Sequence, residues 1–358
     1  MTRFTRAWKV AAGLAAAGVA TLALTSAAGA TGGYKQFNVV SDQPGHAAIH
    51  DPALVNAWGL AAGPGTPVWV SNNGTSTATL YNGDVGGSPP GKVPLTVNTV
   101  TADPTGQVYN PTLQFKVPVG SAMIRSRFIF DSESGQISAW PLTPHIKTSA
   151  TVMATVPGAV FKGIALAWVP GHGPFLYAAD LEHGIDVFNG SFHRVSLSGS
   201  FTDPTLPAGW GPFNVQNIDG KLFVSYAKRA AAPPDEQDGP HLGRVDVFDT
   251  SGHFLRHLVI GGPLNAPWGL VKAPSGFGQF SGDILVGNFG DGLIHAFNPT
   301  TGMLEGDLKW PNGSNIWIDG LWGLRFGNSA FAGTKGLIFS AGPDGEGHGL
   351  LGIIRAAS

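Results

Sequence analysis

Two turns in this chain carry the same three kinds of side chain. One reads Asp180-Leu181-Glu182-His183-Gly184 and the other Asp344-Gly345-Glu346-Gly347-His348-Gly349. Imidazole beside carboxylates can ligate a divalent ion, and the large oxygen share points to Ca, Mn or Zn. The candidate ligands are Glu182, His183, Asp344, Glu346 and His348. The same groups suit general acid and base work. A plainer reading is equally physical. Asp and Asn side chains accept hydrogen bonds from nearby backbone in turns, wherever strands reverse. With eleven His in 358 residues, two polar turns that each hold one are no rarity. No Gly-x-Ser-x-Gly elbow, phosphate loop, His-Glu-x-x-His pair or dinucleotide fingerprint occurs, so a nucleophilic hydrolase has no motif behind it.

The elements that must position these turns repeat about every 54 residues, a period typical of radial β-repeats. Six middle strands are expected at Pro67–Asn72, Arg127–Ser132, Pro174–Asp180, Lys221–Ala227, Gly282–Asn288 and Gly336–Gly342. Each is apolar, β-branched or aromatic, and bounded by Gly, Pro or Asn. Five of the six inner strands show themselves in Trp58-Gly59-Leu60, Gly163-Ile164-Ala165, Phe213-Asn214-Val215, Trp268-Gly269-Leu270 and Trp322-Gly323-Leu324. The second blade's is expected near Pro111–Phe115. Glycine belongs there because strands crowd around an axis, where only small residues let backbones approach. Only five outer strands follow in sequence, so Tyr34–Val40 is expected to pair with the last blade and close the ring. The fold class is all-β, a six-bladed β-propeller formed by a single domain over 31–358. An inserted loop at 228–242 is expected to be flexible surface or, alternatively, a lid.

In this architecture the loops that enter inner strands and those that leave middle strands share one face around the axis. That axial mouth is the expected site, with Asn56, Asn72, Asp131, Asp180, Asn214, Asn265, Asn288 and Asp319 as its candidate pocket. Asn73, Asn110, Glu133, Lys162, Lys228 and Asp291 fall on the same loops. Blades three and six face each other across a six-fold ring, which sets the two Asp/Glu/His turns opposite one another. His145, His172, His193, His253 and His257 read as solvated, and His295 reads as a satisfied structural His.

Composition bounds the rest. Charged residues are only 12% of the chain against 43% hydrophobic, with 52 Gly and 27 Pro, as many short strands and tight turns require. Residues 1–30 differ. Arg3, Arg6 and Lys9 precede an apolar run from Val10 to Leu24, and Ala28-Gly29-Ala30 offers small residues for cleavage. This is the pattern of a secretory signal removed after Ala30. Its loss leaves 18 Lys and Arg against 23 Asp and Glu, a net charge of −5. A mildly acidic chain without basic clusters does not suit nucleic acid. Cys is absent, so the core alone must hold the fold. A secreted monomer with no membrane span after cleavage is expected.

Several whole phrases resemble an uncharacterised family of secreted bacterial β-propeller proteins, some of which carry a C-terminal PEP-type sorting anchor. The phrases include Asn56-Ala57-Trp58-Gly59-Leu60, Leu176-Tyr177-Ala178-Ala179-Asp180, Pro212-Phe213-Asn214-Val215-Gln216-Asn217-Ile218, Gly287-Asn288-Phe289-Gly290-Asp291-Gly292 and Asp319-Gly320-Leu321-Trp322-Gly323-Leu324. The resemblance implies the propeller fold and makes Glu346 and His348 part of a family pattern. It implies no established activity. No anchor follows the last strand, so a freely secreted product is expected. More distantly the blades are similar to NHL-type propellers, which include ligand-binding modules and a few metal-dependent lyases and hydrolases. Two readings stay open. One is a non-catalytic module that binds an extracellular glycan, peptide or protein at the axial mouth. The other is a metal-dependent lyase or hydrolase that uses the mouth carboxylates and histidines.

Overall fold

The computed structural model describes residues 32–231 and 235–357, and the signal expected at 1–30 lies outside them. The chain forms six separate sheets of four or five strands. The inner strands are Ala57–Ala61, Pro104–Tyr109, Phe161–Val169, Trp210–Ile218, Pro267–Lys272 and Leu321–Phe326. Each packs against the next and the last against the first, which closes a six-bladed β-propeller. The middle strands Val68–Asn72, Ala122–Ser132, Gly173–Asp180, Lys221–Arg229, Ile284–Asn288 and Leu337–Ala341 fall on the expected segments. They read as continuous apolar runs because both faces of a blade are covered by neighbouring blades. Val68–Asn72 and Leu337–Ala341 are buried at every residue.

Two glycines show why the axis tolerates no side chain. A Cβ on Gly106 would stand 2.6 Å from the backbone nitrogen of Ile164, and one on Gly59 would stand 2.5 Å from the Thr105 carbonyl. Real Cβ atoms do not come so close, so a methyl group would push adjacent inner strands apart. Blade four uses Asn214 instead. Its Nδ2 donates to the Trp268 carbonyl at 2.7 Å, tying blade four to blade five.

The ring closes as the strand count required. Tyr34–Ser41 runs antiparallel to Leu350–Ala356, with Tyr34 opposite Ala356 and Ser41 opposite Leu350. The Tyr34 hydroxyl donates to the Phe277 carbonyl at 2.9 Å, and its ring lies on Phe277 and Phe280 in blade five. The first and last strands of the propeller are thereby fixed to each other and to a neighbouring blade.

One strand differs from expectation. The second inner strand is Pro104–Tyr109, not Pro111–Phe115. The glycine that meets blade three is Gly106, without an aromatic neighbour to announce it. Residues 111–115 form a turn held by Asn110, whose Oδ1 accepts from Thr112 N at 2.9 Å and whose Nδ2 donates to the Gln114 carbonyl at 3.0 Å. Asn110 thus leaves an inner strand and belongs to the end of the ring away from the mouth. The inserted loop also starts later than 228. Lys228 and Arg229 still belong to the middle strand, and Glu236–Gln237 folds back to pair with them.

Candidate functional site

The mouth of the channel is closed from within by aromatic rings. The Trp-Gly-Leu phrases of blades one, five and six set Trp58, Trp268 and Trp322 at one level around the axis. Trp58 and Trp322 stack with 3.5 Å between ring centroids, and Trp268 meets each edge-on at 6.0 Å. Phe289 stacks on Trp322 at 4.0 Å and Phe213 packs beside it. None of the three indoles is more than 3% exposed. All three N–H groups find acceptors, as buried indoles must. Trp58 and Trp322 both donate to Asn56 Oδ1, at 2.9 and 3.1 Å, and Trp268 donates to the Lys162 carbonyl at 2.9 Å.

A charged cap lies over this layer. The Lys162 side chain is 1% exposed, and its ammonium sits 5.4 Å from the Trp58 ring centre. It donates to Glu133 at 2.5 Å and Asp235 at 2.9 Å, with Glu236 at 3.7 Å. Burial alone would lower the Lys162 pKa. The carboxylates of Glu133, Glu236 and Asp235 outweigh burial and hold it raised, so the amine stays protonated. Glu236 is raised as well, which for a carboxyl favours the neutral form. Burial, and a hydrogen bond shared with Asp235, push its carboxyl well above the usual range. Asn56 joins the cap to the tryptophans. Its Nδ2 donates to Glu346 at 2.6 Å and to Asn73 Oδ1 at 3.2 Å, and Asn73 in turn donates to Glu133 at 3.2 Å. Asn56 has φ +47°, a left-handed conformation that Asn tolerates better than most residues.

The candidate pocket residues divide unevenly. Asn56, Asn73, Glu133, Lys162 and Glu346 meet in the cap. Most others tie strands and loops together instead. Asp180 accepts from Val160 N and Glu182 N, both at 3.0 Å. Asn72 donates to Thr77 and Thr79, each at 3.1 Å, and Asn214 spans to Trp268. Asn265 accepts from Gly239 N at 2.6 Å, Asp319 accepts from Asp344 N at 2.8 Å, and Asn288 donates to the Pro263 carbonyl at 2.9 Å. Asp131 is wholly buried beneath the cap, where it accepts from Thr105 at 3.1 Å, and burial raises its pKa to about 7.

The five candidate metal ligands are not gathered into one set. His183 Nδ1 lies 2.9 Å from Asp180, and Glu182 accepts from Arg229 at 2.5 Å. His348 Nδ1 lies 2.8 Å from Asp42, while Glu346 is held by Asn56. Four of the five therefore have partners of their own, and Asp344 is tied to Asp319 only through its backbone N–H. Among the described residues, the three-ligand cluster is elsewhere, at Asp203, Asp246 and His257 between blades three and four. His257 was expected in solvent. It is instead about 29% exposed, with Nδ1 2.7 Å from Asp246. Burial raises the Asp246 pKa to about 6, and the His257 hydrogen bond opposes the rise. Arg244 donates to Asp203 at 3.0 Å, so a cation of the chain already sits in this cluster too.

The other end of the axis is open. A cavity of 290 Å³ rises from that end to Trp268 and Asn214, lined by Gln107, Gln216, Asn217, Lys272 and Arg325 among others. A groove of 250 Å³ shares Gln107, Gln216, Asn217 and Arg325 with it and adds Tyr109 and Trp168. The sequence held a signal for both ends. Lys162 and Arg325 are lone charges in otherwise apolar inner strands, and a charge that must be buried needs a partner or a ligand.

Lys162→Met should lower the folding free energy by about 3–5 kcal/mol, because it strands Glu133, Asp235 and Glu236 against one another. Urea denaturation measures this, and Lys162→Met/Glu236→Gln should recover part of the loss.

The chain is 32% identical over 333 residues to "Uncharacterized protein R648" of Acanthamoeba polyphaga mimivirus, covering 88% of this chain and 78% of that protein. It is 30% identical over 338 residues to "Uncharacterized protein L690" of the same virus, covering 90% and 85%. Among solved structures it is similar to virginiamycin B lyase from Staphylococcus aureus, with a TM-score of 0.51, 15% identity, and coverage of 90% of this chain and 99% of that one. At that identity the likeness is one of fold. No protein-family model matches the chain. The chain belongs to the family that includes these two mimivirus proteins.

Proposed function

We propose that this chain is a non-catalytic, ligand-binding propeller, and that its ligand enters the open end of the axial channel rather than the mouth. The observation that carries this reading is the asymmetry of the axis. At the mouth, stacked indoles fill the channel and Lys162 with its carboxylates caps them. At the other end, a cavity large enough for a small molecule is lined by amides and a guanidinium. A metal-dependent lyase or hydrolase at the mouth has less behind it. Its carboxylates already surround the Lys162 ammonium, and the Asp203, Asp246 and His257 cluster already holds Arg244.

A thermal-shift screen of metabolites and small saccharides tests this. Hits should vanish in Gln216→Trp, which fills the cavity, and persist in Glu346→Gln, which alters only the cap. The opposite pattern would return the site to the mouth.

We also infer that the protein is exported and that its ligand is extracellular, from the basic and apolar residues of 1–30. The intact mass of protein recovered from culture medium should correspond to a chain beginning at Thr31. Retention of the full mass inside cells would contradict export.

A further inference from the structure

Arg325 is an unusual arginine for this fold. It is the penultimate residue of the inner strand of blade six and lines both the axial cavity and the adjoining groove. Among the described residues it has no carboxylate within salt-bridge distance. One nitrogen, Nη2, donates to the Ala62 carbonyl at 2.7 Å, and its buried Nε has no acceptor. Burial with no counter-charge pulls its pKa down to about 10. A guanidinium left in this state is costly unless something pairs with it.

A second group waits in the same cavity. Gln107 is 4% exposed, and its amide nitrogen is committed to two carbonyls, Gly59 at 2.6 Å and Trp69 at 2.8 Å. That fixes the amide and leaves Oε1 as a buried acceptor without a donor. In the groove, Trp168 is half exposed beside Tyr109. The Lys272 and Asp219 charges at the rim pair at 2.5 Å and cancel. The cavity and the groove beside it therefore share one uncompensated positive charge, with an open aromatic face in the groove and a buried, unfilled acceptor in their common wall.

We propose that the open end of the channel binds an acidic monosaccharide, with its carboxylate on Arg325, a hydroxyl donated to Gln107 Oε1 and a sugar face against Trp168. This rests on the ligand-binding reading above and specifies its ligand. A carboxylate is favoured over a phosphate because a single guanidinium balances a monoanion, whereas a phosphate dianion would leave net negative charge in the cavity. A sugar is favoured over a plain carboxylate because the Gln107 acceptor and the Trp168 face need a hydroxylated ring to fill them.

Titration calorimetry on the intact protein with D-glucuronate, D-glucose, acetate and glucose 6-phosphate tests the proposal. Glucuronate should bind at least about tenfold more tightly than any of the other three, one charged hydrogen-bonded contact being worth about that factor. Arg325→Gln should weaken glucuronate by a similar factor and leave whatever glucose binding exists unchanged. Trp168→Ala lies on the surface, so it reads the same site even where Arg325→Gln disturbs folding, and it too should weaken glucuronate. Equal binding of glucose, binding of acetate as tight as glucuronate, tighter binding of glucose 6-phosphate, or no glucuronate binding at all would each overturn it. If the metabolite screen returns only neutral hits that are lost in Gln216→Trp, this inference fails while the ligand-binding reading stands.

Discussion

Backbone contact at the axis is the constraint from which the rest of this molecule follows. Where inner strands meet without side chains, as at Gly59 and Gly106, the channel narrows to the width that adjacent strands allow. That approach brings three tryptophans from blades one, five and six to a single level, where Trp58 and Trp322 stack directly. The indoles then need acceptors, and one oxygen, Asn56 Oδ1, serves two of the three. Because Asn56 also holds Glu346, the polar loops above inherit their positions from the glycine contacts below.

The cap gathers carboxylates around a cation of the chain itself. Glu133 and Asp235 come from different blades, and Lys162 from the blade between them carries the positive charge that joins them. Such an arrangement has a large desolvation cost, which the short hydrogen bonds and the Trp58 face offset. Arg244 plays the same part beside Asp203. Arg325 breaks the pattern, because no carboxylate among the described residues pairs with it, and it lines the open cavity.

Much of the fold was legible because it rests on local pattern. Middle strands buried on both faces must be apolar throughout, and inner strands must carry a small residue at the axis, so both announce themselves. Blade two's inner strand did not, because Thr105-Gly106-Gln107 uses polar side chains to bond across strands where blades one, four, five and six carry Trp or Phe. The site was less legible. Sequence spacing placed Asn56, Lys162 and Glu346 on one face, but not which side chains turn toward the axis. Asp180 and Asp319 sit on the same loops and bond backbone instead. His257 looked solvated because its partner Asp246 lies on the neighbouring strand, a contact fixed only by strand pairing. The open cavity depends on residues from several inner strands, which no single stretch of sequence brings together.

Lys162 stands at the mouth where a metal ion would otherwise balance the carboxylates. Metal content of the purified protein by plasma mass spectrometry, paired with Tm with and without EDTA, tests it most directly. No stoichiometric divalent ion and no change of Tm on chelation are expected, since a ligand of the native state would have stabilised it. A near-stoichiometric ion whose removal lowers Tm would contradict that expectation.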